Sequence, residues 1–334
     1  MIPLTDQPAS TDIDISVVVP LFNEQENIPE LHRRLTKSLE ELEVQFELVL
    51  VNDGSRDSTP QLLDELQKND GRVVVLHLSR NFGHQPAVSA GIDAARGRGV
   101  FVIDGDLQDP PEVFGEFIAR WRDGYDVVYA VRQKRKENIV KRAGYFVFYR
   151  LLRSISDLQI PLDSGDFCLM DRKVVDVLKH LPERIRFVRG LRTFVGFRQC
   201  GISYERAARE AGAPKYSFKA LLRLAIDGLI SFSSFPITLL SYMAFVSAGL
   251  AIVMTIWVVL DVWLNAATPR GWASTMIVVL VMSSIQLFSL GILGAYIWRI
   301  FLECKGRPTY IIRDRRSGDV VVPVPSNSTS TPAP

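Results

Sequence analysis

Two long stretches without a charged residue constrain the fold of this chain more than any other feature of its sequence. Residues 237–260 and 273–298 contain no Asp, Glu, Lys or Arg. In a helix that rises about 1.5 Å per residue, the shorter stretch measures about 36 Å, which exceeds the ~30 Å hydrocarbon core of a bilayer. Trp263 and Trp298 flank the stretches, where interfacial aromatic residues are typical. We therefore predict a hairpin of two transmembrane helices within residues 236–301, with two buried core helices as the alternative.

Basic residues around this hairpin predict its orientation. Lys215, Lys219 and Arg223 precede it, residues 299–316 contain five Arg and one Lys, and the connector between the stretches holds Arg270 alone. Because loops rich in Lys and Arg stay in the cytoplasm, both ends of the hairpin are predicted to lie there. The prediction is an integral membrane protein with two spans and with both termini in the cytoplasm.

Three segments of the chain differ in composition from the spans and from the part that we expect to be soluble. Residues 213–235 mix basic and large apolar side chains, which is typical of amphipathic helices in the lipid interface; a surface helix of the soluble part is the alternative. Residues 1–14 lack the basic start and apolar core of a signal peptide and are predicted to be a flexible tail. Residues 302–334 are predicted to be a cytoplasmic tail, disordered at its Ser-, Pro- and Thr-rich end.

Residues 15–212 show the pattern of an α/β domain. Apolar runs rich in β-branched residues alternate with segments in which apolar residues recur at helical spacing. The runs cover 15–20, 46–51, 73–78, 99–103 and 126–131, and the helical patterns include 28–42 and 59–67. Such alternation predicts a parallel sheet covered by helices on both faces, with ligands bound outside the carboxyl ends of the strands.

Composition excludes several classes of protein. With 39 Lys and Arg against 37 Asp and Glu, the net charge is +2, so a nucleic-acid-binding protein held by bulk positive charge is not expected. The chain is 47% hydrophobic and 23% charged, which excludes a disordered protein. Its three cysteines are widely spaced and predict no disulfide framework, as suits a cytosol-facing domain.

The strongest local signal is the tripeptide Asp104-Gly105-Asp106, directly after the fourth apolar run. Two carboxylates at this spacing can share a divalent cation, and Gly105 lets a ligand approach closely. Hard oxygen ligands favour Mg²⁺ or Mn²⁺ over zinc, and Gln108 is a further polar ligand candidate. An ordinary acidic turn is the alternative when the tripeptide is taken alone.

Polar turns follow the first three runs as well. They read P-L-F-N-E from Pro20, V-N-D-G-S from Val51 and R-N-F-G from Arg80. Asp53 can accept hydrogen bonds from a base or a ribose, and His84 stands next to the third turn, within reach of a sugar or base. Because all four turns are expected at one edge of one sheet, we predict a nucleotide site there.

These motifs resemble those of glycosyltransferase family 2. The stretches V-V-V-P-L-F-N-E, V-N-D-G-S and D-G-D-L-Q-D-P-P-E, with the terminal hairpin, are most similar to the polyprenyl-phosphate glycosyltransferases, namely dolichyl-phosphate mannose synthases and bacterial bactoprenol glucosyltransferases. The resemblance covers residues 15–316. It implies a Rossmann-like GT-A domain, a nucleotide-sugar donor, a polyprenyl phosphate acceptor, inversion at the anomeric carbon and a bacterial inner membrane. The Q-x-x-R-W motif of processive members is absent, since residues 186–190 read R-F-V-R-G, which favours transfer of a single sugar.

By position, the resemblance implies roles for residues on the donor side. Those matching nucleotide-sugar contacts are Pro20, Phe22, Glu24, Asp53, Asp104 and Gly105. Those matching the site of Mg²⁺ or Mn²⁺ and of the diphosphate are Asp104, Asp106 and Gln108, and Asp106 is also expected to be needed for catalysis.

On the acceptor side, the resemblance places a carboxylate in the stretch Asp163-Ser164-Gly165-Asp166. Asp166 is the first choice and Asp163 the second, with a helix N-cap as the alternative for either. A phosphate monoester has a second pKa near 6 and is largely ionised at pH 7, so this carboxylate is expected to orient the acceptor more than to remove a proton. The resemblance favours Arg132 and Arg142 as phosphate contacts, with a solvated basic face or attraction to anionic lipid as the alternative, and Lys215 is a further candidate.

The resulting prediction is an inverting membrane enzyme that transfers glucose from UDP-glucose to polyprenyl phosphate. Transfer from GDP-mannose and a catalytically inactive membrane scaffold are the alternatives. A transporter is not expected, because the spans carry no ionisable residue to line a path. Gly291 and Gly294 provide small residues for helix contacts, and we expect a homo-oligomer.

Overall fold

The computed structural model describes residues 13–132, 164–184, 186–204, 235–265, 271–317 and 320–322. Two compact units divide the chain, one containing the sheet and the other containing two long apolar helices. The predicted interfacial segment, 213–235, lies outside the described residues except for its last residue.

The first half of the sheet unit alternates strands and helices as predicted. In chain order it contains β1 (Ile15–Leu21), α1 (Ile28–Glu40), β2 (Phe46–Asn52), α2 (Thr59–Asn69), β3 (Val73–Leu78), α3 (His84–Ala94) and β4 (Gly99–Val102). Every residue of these four strands is buried, which explains why they read as predominantly apolar runs without regular alternation.

The second half of the unit is less regular. A short 3-10 helix (Pro111–Val113) is followed by α4 (Phe114–Arg122), β5 (Val127–Arg132), β6 (Ser164–Asp171), α5 (Arg172–His180), α6 (Val188–Phe194) and β7 (Gln199–Tyr204). Farther along the chain, β8 (Ile312–Ser317) and β9 (Val320–Val322) join the sheet.

The strands form one mixed sheet in the order β7-β5-β6-β4-β1-β2-β3-β8-β9. Its centre, β4-β1-β2-β3, is parallel, but β6 runs antiparallel to β4 and β5, and β8 runs antiparallel to β3. The prediction of a parallel sheet is therefore correct for the centre and wrong for both flanks. The direction of β6 and β8 is a property of the tertiary topology, for which the apolar runs of the sequence contain no signal.

Helices cover both faces of the sheet, as predicted. On one face α1, α2 and α4 bury residues such as Leu35, Leu63 and Phe117 in an apolar core. On the other face α3, α5 and α6 bury Val88, Val175 and their neighbours. This three-layer arrangement fixes the strand ends, and with them the loops that carry polar side chains.

Residues 312–322, which fall within the predicted tail, contain two strands of the sheet. The segment I-R-D-R-R-S of β8 has almost no apolar residue, so no hydrophobic pattern indicates a strand. Main-chain pairing with β3 holds it instead, together with a 2.9 Å ion pair between Arg316 and Asp64 and a 2.6 Å hydrogen bond from Tyr310 to Asp93. Residues 312–317 and 320–322 are thus part of the folded sheet, where the prediction had a tail.

The second unit contains α7 (Phe235–Asn265) and α8 (Trp272–Cys304), with lengths of 31 and 33 residues. Both helices extend beyond the predicted spans. Among the described residues, one segment, Val281–Cys304, is long and apolar enough to cross a membrane, and none of its most apolar window is buried in this chain. Tyr242–Trp257 of α7 is a shorter apolar segment.

Candidate active site

The loops that follow β1 and β2 are fastened to each other at the carboxyl edge of the parallel strands. The Asn23 N–H donates to Ser55 Oγ at 3.0 Å, and the Arg56 N–H donates back to Asn23 Oδ1 at 2.9 Å. The Glu24 N–H donates to Thr59 Oγ1 at 3.0 Å. Asn23 has a φ of 53°, in the left-handed region that Asn tolerates better than most residues. The predicted nucleotide-binding loops therefore form one assembled rim.

Asp53 fastens the β2 loop to the loop after β3. Its two carboxylate oxygens accept hydrogen bonds from the N–H groups of Phe82 (2.7 Å) and Gly83 (2.9 Å). Burial raises the pKa of Asp53, and these two hydrogen bonds oppose that rise by stabilising the carboxylate. The predicted nucleotide contact thus also organises the loop, and lone pairs remain for a ligand.

Gly54 allows the same two loops to touch. Its φ is +66°, and a Cβ atom built on it would lie 2.5 Å from the backbone carbon of Arg80 and from the nitrogen of Asn81. Only a residue without a side chain fits this contact.

The D-x-D turn follows β4 at the same edge. Asp104 is 27% exposed, whereas Asp106 is 8% exposed and its Oδ1 accepts a 3.2 Å hydrogen bond from the Gln108 N–H. Leu107, between Asp106 and Gln108, has a φ of +58°. A Cβ atom on Gly105 would lie 2.4 Å from Leu21 Cδ2, so this glycine also serves packing against β1.

Negative charge accumulates around Asp104. Burial, together with the charges of Asp166, Asp109 and Asp106, raises the pKa of Asp104 to about 6, although His84 opposes the rise. Such a carboxylate cluster favours a bound cation. Within the described residues no three His, Cys, Asp or Glu side chains form a ready metal site, so a cation on Asp104 and Asp106 would need further oxygen ligands.

The strand register brings Asp166 to the D-x-D turn. In the antiparallel pair β4–β6, Val102 is paired with Cys168, and continuing that register places Asp104 opposite Asp166. Asp166 therefore lies in a strand and is neither a turn residue nor a helix N-cap. His84, the first residue of α3, lies between the two carboxylates, with its Nε2 3.1 Å from Asp166 Oδ2 and 3.7 Å from Asp104 Oδ1.

Two further side chains hold Asp166. Gln85 Nε2 donates to Asp166 Oδ2 at 3.1 Å, and Arg189 Nη2 donates to Asp166 Oδ1 at 3.3 Å. Burial alone would raise the pKa of Asp166, but the His84 hydrogen bond and the charges of Arg189, His84 and Arg192 outweigh it, and the pKa lies well below its usual range. Asp166 is therefore a weak base at neutral pH.

The same contacts act on His84 in the opposite direction. Burial disfavours the charged imidazolium, but the hydrogen bond to Asp166 and the charges of Asp104 and Asp166 outweigh it and raise the pKa of His84 to about 9. A protonated His84 between two carboxylates reduces their mutual repulsion.

The structure brings most of the predicted donor residues together and describes few of the acceptor residues. Phe22 and Glu24 are half-buried in the β1 loop, whereas Pro20 is buried within β1. Arg132 is the last residue of β5. The predicted residues outside the described part of the chain are Asp163, Arg142 and Lys215.

Sequence reasoning missed Gln85 and Arg189 as partners of Asp166. Gln85 also accepts a 2.9 Å hydrogen bond from the Val188 N–H, which ties α3 to the start of α6. The available signals were the position of Gln85 directly after the polar turn of β3 and the basic stretch R-F-V-R-G at 186–190.

Comparisons with known proteins agree with these motifs. Residues 16–178 match the family model described as Glycosyl transferase family 2. The chain is 45% identical over 305 residues to the uncharacterized glycosyltransferase YkcC of Bacillus subtilis (strain 168), covering 91% of this chain and 94% of that protein. It is 39% identical over 306 residues to a bactoprenol glucosyl transferase of Shigella phage SfII, covering 91% and 99%.

A prophage bactoprenol glucosyl transferase homolog of Escherichia coli (strain K12) is 40% identical over 300 residues, covering 90% of this chain and 98% of that protein. Among solved structures, the chain is similar to a glucosyl-3-phosphoglycerate synthase from Mycobacterium tuberculosis, with 19% identity, a TM-score of 0.46, and coverage of 68% of this chain and 85% of that one.

Proposed function

The chain belongs to glycosyl transferase family 2, and on that premise we propose that it transfers one glucose from UDP-glucose to polyprenyl phosphate with inversion at the anomeric carbon. It is a glycosyltransferase, with relatives named bactoprenol glucosyl transferases along nine-tenths of its length (91%). Those names support glucose as the sugar and a bactoprenol-type lipid as the acceptor.

The observation that carries the proposal is the arrangement of Asp104, His84 and Asp166. The first stands in the donor-side turn and the last on the predicted acceptor side, and His84 Nε2 lies 3.7 Å and 3.1 Å from their oxygens. A donor diphosphate at the D-x-D turn and an acceptor phosphate near Asp166 would therefore meet at one point. Proximity of this kind is a major source of rate enhancement in group transfer.

Asp104 and Asp106, with Gln108, would hold Mg²⁺ or Mn²⁺. The crowded carboxylates fit a cation, and Mg²⁺ is commonly bound by one or two carboxylates together with substrate phosphates. When bound, the cation would supply charge stabilisation for the departing nucleoside diphosphate. Phe22, Glu24 and Asp53 form the adjoining rim for the nucleotide.

In the proposed reaction a phosphate oxygen of the acceptor attacks C1 of the sugar, and the bond from C1 to the nucleoside diphosphate breaks. The acceptor needs no general base, because its second pKa is near 6. Asp166 suits a positioning role, since its oxygens already accept hydrogen bonds from His84, Gln85 and Arg189. Arg132, Arg142 and Lys215 remain the proposed contacts of the acceptor phosphate.

The chain connectivity supports an even number of membrane crossings. β3 precedes α7 and α8 in the chain, β8 follows them, and the two strands pair in one sheet. A single crossing would separate these strands on opposite sides of the bilayer. We therefore propose that α7 and α8 both span the inner membrane, with the sheet unit and both termini in the cytoplasm and with oligomer contacts through the spans.

Cysteine labelling tests this topology. A membrane-impermeant reagent applied from the outside should label Ala267→Cys, in the connector, and should not label Ser317→Cys, at the end of β8. The reverse pattern would contradict the proposed orientation.

Transfer itself is tested with the purified protein in detergent, undecaprenyl phosphate and radiolabelled UDP-glucose, UDP-galactose or GDP-mannose, each with and without Mg²⁺ or Mn²⁺. We expect labelled lipid from UDP-glucose only when metal is present. Asp123→Asn, a substitution of a largely exposed residue in the turn after α4, is the matched control for carboxylate variants and should behave as wild type. Label transfer from GDP-mannose alone would identify a mannosyltransferase, and no lipid product from any donor would contradict the proposal.

A further inference from the structure

A set of polar side chains lies inside the sheet next to the donor rim and has no role in the reaction described above. His77, on β3, is 1% exposed, and Asn52, at the end of β2, is 3% exposed. Buried polar groups need hydrogen-bond partners, because an unsatisfied one costs about 1–3 kcal/mol of stability.

The direction of each hydrogen bond in this set follows from one backbone group. The Ser55 N–H donates to Asn52 Oδ1 at 2.9 Å, and a backbone N–H cannot accept, so the amide nitrogen of Asn52 faces His77. Asn52 Nδ2 lies 2.9 Å from His77 Nδ1, which must therefore be the acceptor. The imidazole proton of a neutral His77 then resides on Nε2, which donates to Asp64 Oδ1 at 3.0 Å.

The far end of the set belongs to the strand that follows the membrane helices. Asp64, on α2, accepts His77 with one oxygen and Arg316 Nη1 of β8 with the other, at 2.9 Å. The strand pairing holds this contact in place, since Leu76 of β3 pairs with Arg315 and His77 pairs with Asp314. We call Arg316, Asp64, His77, Asn52 and Ser55 the His77 relay.

The near end of the relay is a junction of the donor rim. Ser55 receives the Asn23 N–H from the β1 loop, and Asp53, two residues before it, holds the β3 loop through Phe82 and Gly83. The orientation of Asn52 therefore bears on all three loops.

We propose that the His77 relay positions the donor-binding loops, so that β8 is a working part of the nucleotide site although the membrane helices separate it in sequence from the other donor residues. The inference rests on the proposed function and assigns positioning roles to His77, Asn52, Asp64 and Arg316. None of these four residues is proposed to touch the substrates.

The test compares His77→Leu, which has the wrong polarity for both neighbours, with His77→Gln, whose amide can accept from Asn52 and donate to Asp64. Arg316→Leu probes the far end, and Arg313→Gln, an exposed position on the same strand, is the matched control. Two readouts on the full-length protein in detergent are hydrogen exchange of the amides at 53–58 without ligand and the Kd for UDP and for GDP.

We expect His77→Leu to speed hydrogen exchange at 53–58 about fivefold and to raise the Kd for nucleotide about fivefold. A fivefold change corresponds to the net contribution of one hydrogen bond. Arg316→Leu should give about threefold effects, because its ion pair is partly exposed. His77→Gln and Arg313→Gln should resemble wild type. In transfer assays KM for the nucleotide sugar should rise while kcat and KM for the lipid stay unchanged.

Exchange and nucleotide affinity within twofold of wild type in both Leu variants would overturn the proposal, even if the variants were less stable. If His77→Leu does not fold, Arg316→Leu decides alone. Wild-type protein that binds neither nucleotide would contradict the proposed function instead. In that case hydrogen exchange alone tests the His77 relay, and unchanged exchange rates at 53–58 in Arg316→Leu would overturn it.

Discussion

Replacing Asp166 by Asn separates a positioning carboxylate from a general base. The substitution keeps the size of the side chain but leaves one acceptor oxygen where the carboxylate has two. That oxygen can accept hydrogen bonds either from His84 and Gln85, which lie 3.1 Å from one oxygen of Asp166, or from Arg189, which lies 3.3 Å from the other. The NH₂ group of the Asn then faces the remaining donor or donors. One charge-assisted contact is lost.

Hydrogen bonds to charged groups contribute about 1.5–3 kcal/mol, which corresponds to a rate loss of about ten- to hundredfold if the contact matters fully in the transition state. Asp166→Ala leaves all three donors without this acceptor and should be slower still than Asp166→Asn. A general base would be lost equally in both variants, with a loss of roughly 10²–10⁴-fold in each.

The pH dependence provides the second readout. Because the pKa of Asp166 lies well below its usual range, Asp166 stays ionised, and activity should rise through about pH 6 as the acceptor phosphate and Asp104, whose pKa is raised to about 6, both ionise. Removing the Asp166 charge should also lower the pKa of His84 from about 9, as followed by NMR of labelled histidines. Equal inactivity of the Asn and Ala variants, with normal binding of donor and acceptor, would refute the positioning role.

Three further predictions concern the metal, the rim and the stability of the sheet unit. Asp106→Asn should lose most transfer and its response to added Mg²⁺ or Mn²⁺ while retaining a wild-type melting profile; near-normal, metal-dependent turnover would contradict the metal assignment. Gly54→Ala should lower the melting temperature and weaken UDP binding, because its Cβ would lie 2.5 Å from backbone atoms, whereas Gly71→Ala, with nothing within 4 Å, should do neither in the same assays. Asp70→Asn should reduce the free energy of unfolding by about 2 kcal/mol at pH 7, because hydrogen bonds from Arg72 and His32 outweigh burial and lower the pKa of Asp70 to about 2. That stabilisation is present above the unfolded pKa near 4 and lost as the pH falls towards 2, so the difference between variant and wild type in denaturant titrations should shrink over this range.

The central strands were predictable because burial on both faces leaves a predominantly apolar run, as in β1 and β2. The flanking strands β6 and β8 were not, whereas the flanking strand β5 coincides with the predicted run at 126–131. β6 contains the acidic stretch that resembles a turn, and β8 is a charged strand held by backbone pairing and by Arg316. β8 has neither the alternation nor the apolar run on which such a prediction depends, and β6 has only the four-residue run F-C-L-M after its polar start.

Some features of the candidate site could likewise be predicted from the sequence, and others depend on the tertiary structure. Asp104 and Asp106 are neighbours in sequence at the end of a recognisable strand, so the proximity of their carboxylates could be predicted. Gln85 and Asp166 are 81 residues apart, and their contact exists only because β6 runs antiparallel to β4. The contact of Asp53 with the β3 loop also depends on tertiary structure, since its oxygens accept hydrogen bonds from the N–H groups of Phe82 and Gly83.

The most direct test of the account is the identity of the product formed from UDP-glucose and undecaprenyl phosphate by the purified protein with Mg²⁺ or Mn²⁺. Mass spectrometry should find one hexose on the monophosphate lipid, and NMR should find the β-anomer, because the donor is the α-anomer and the proposed displacement inverts it. Free glucose without glycolipid, a lipid carrying more than one hexose, or the α-anomer would contradict single, inverting transfer to polyprenyl phosphate.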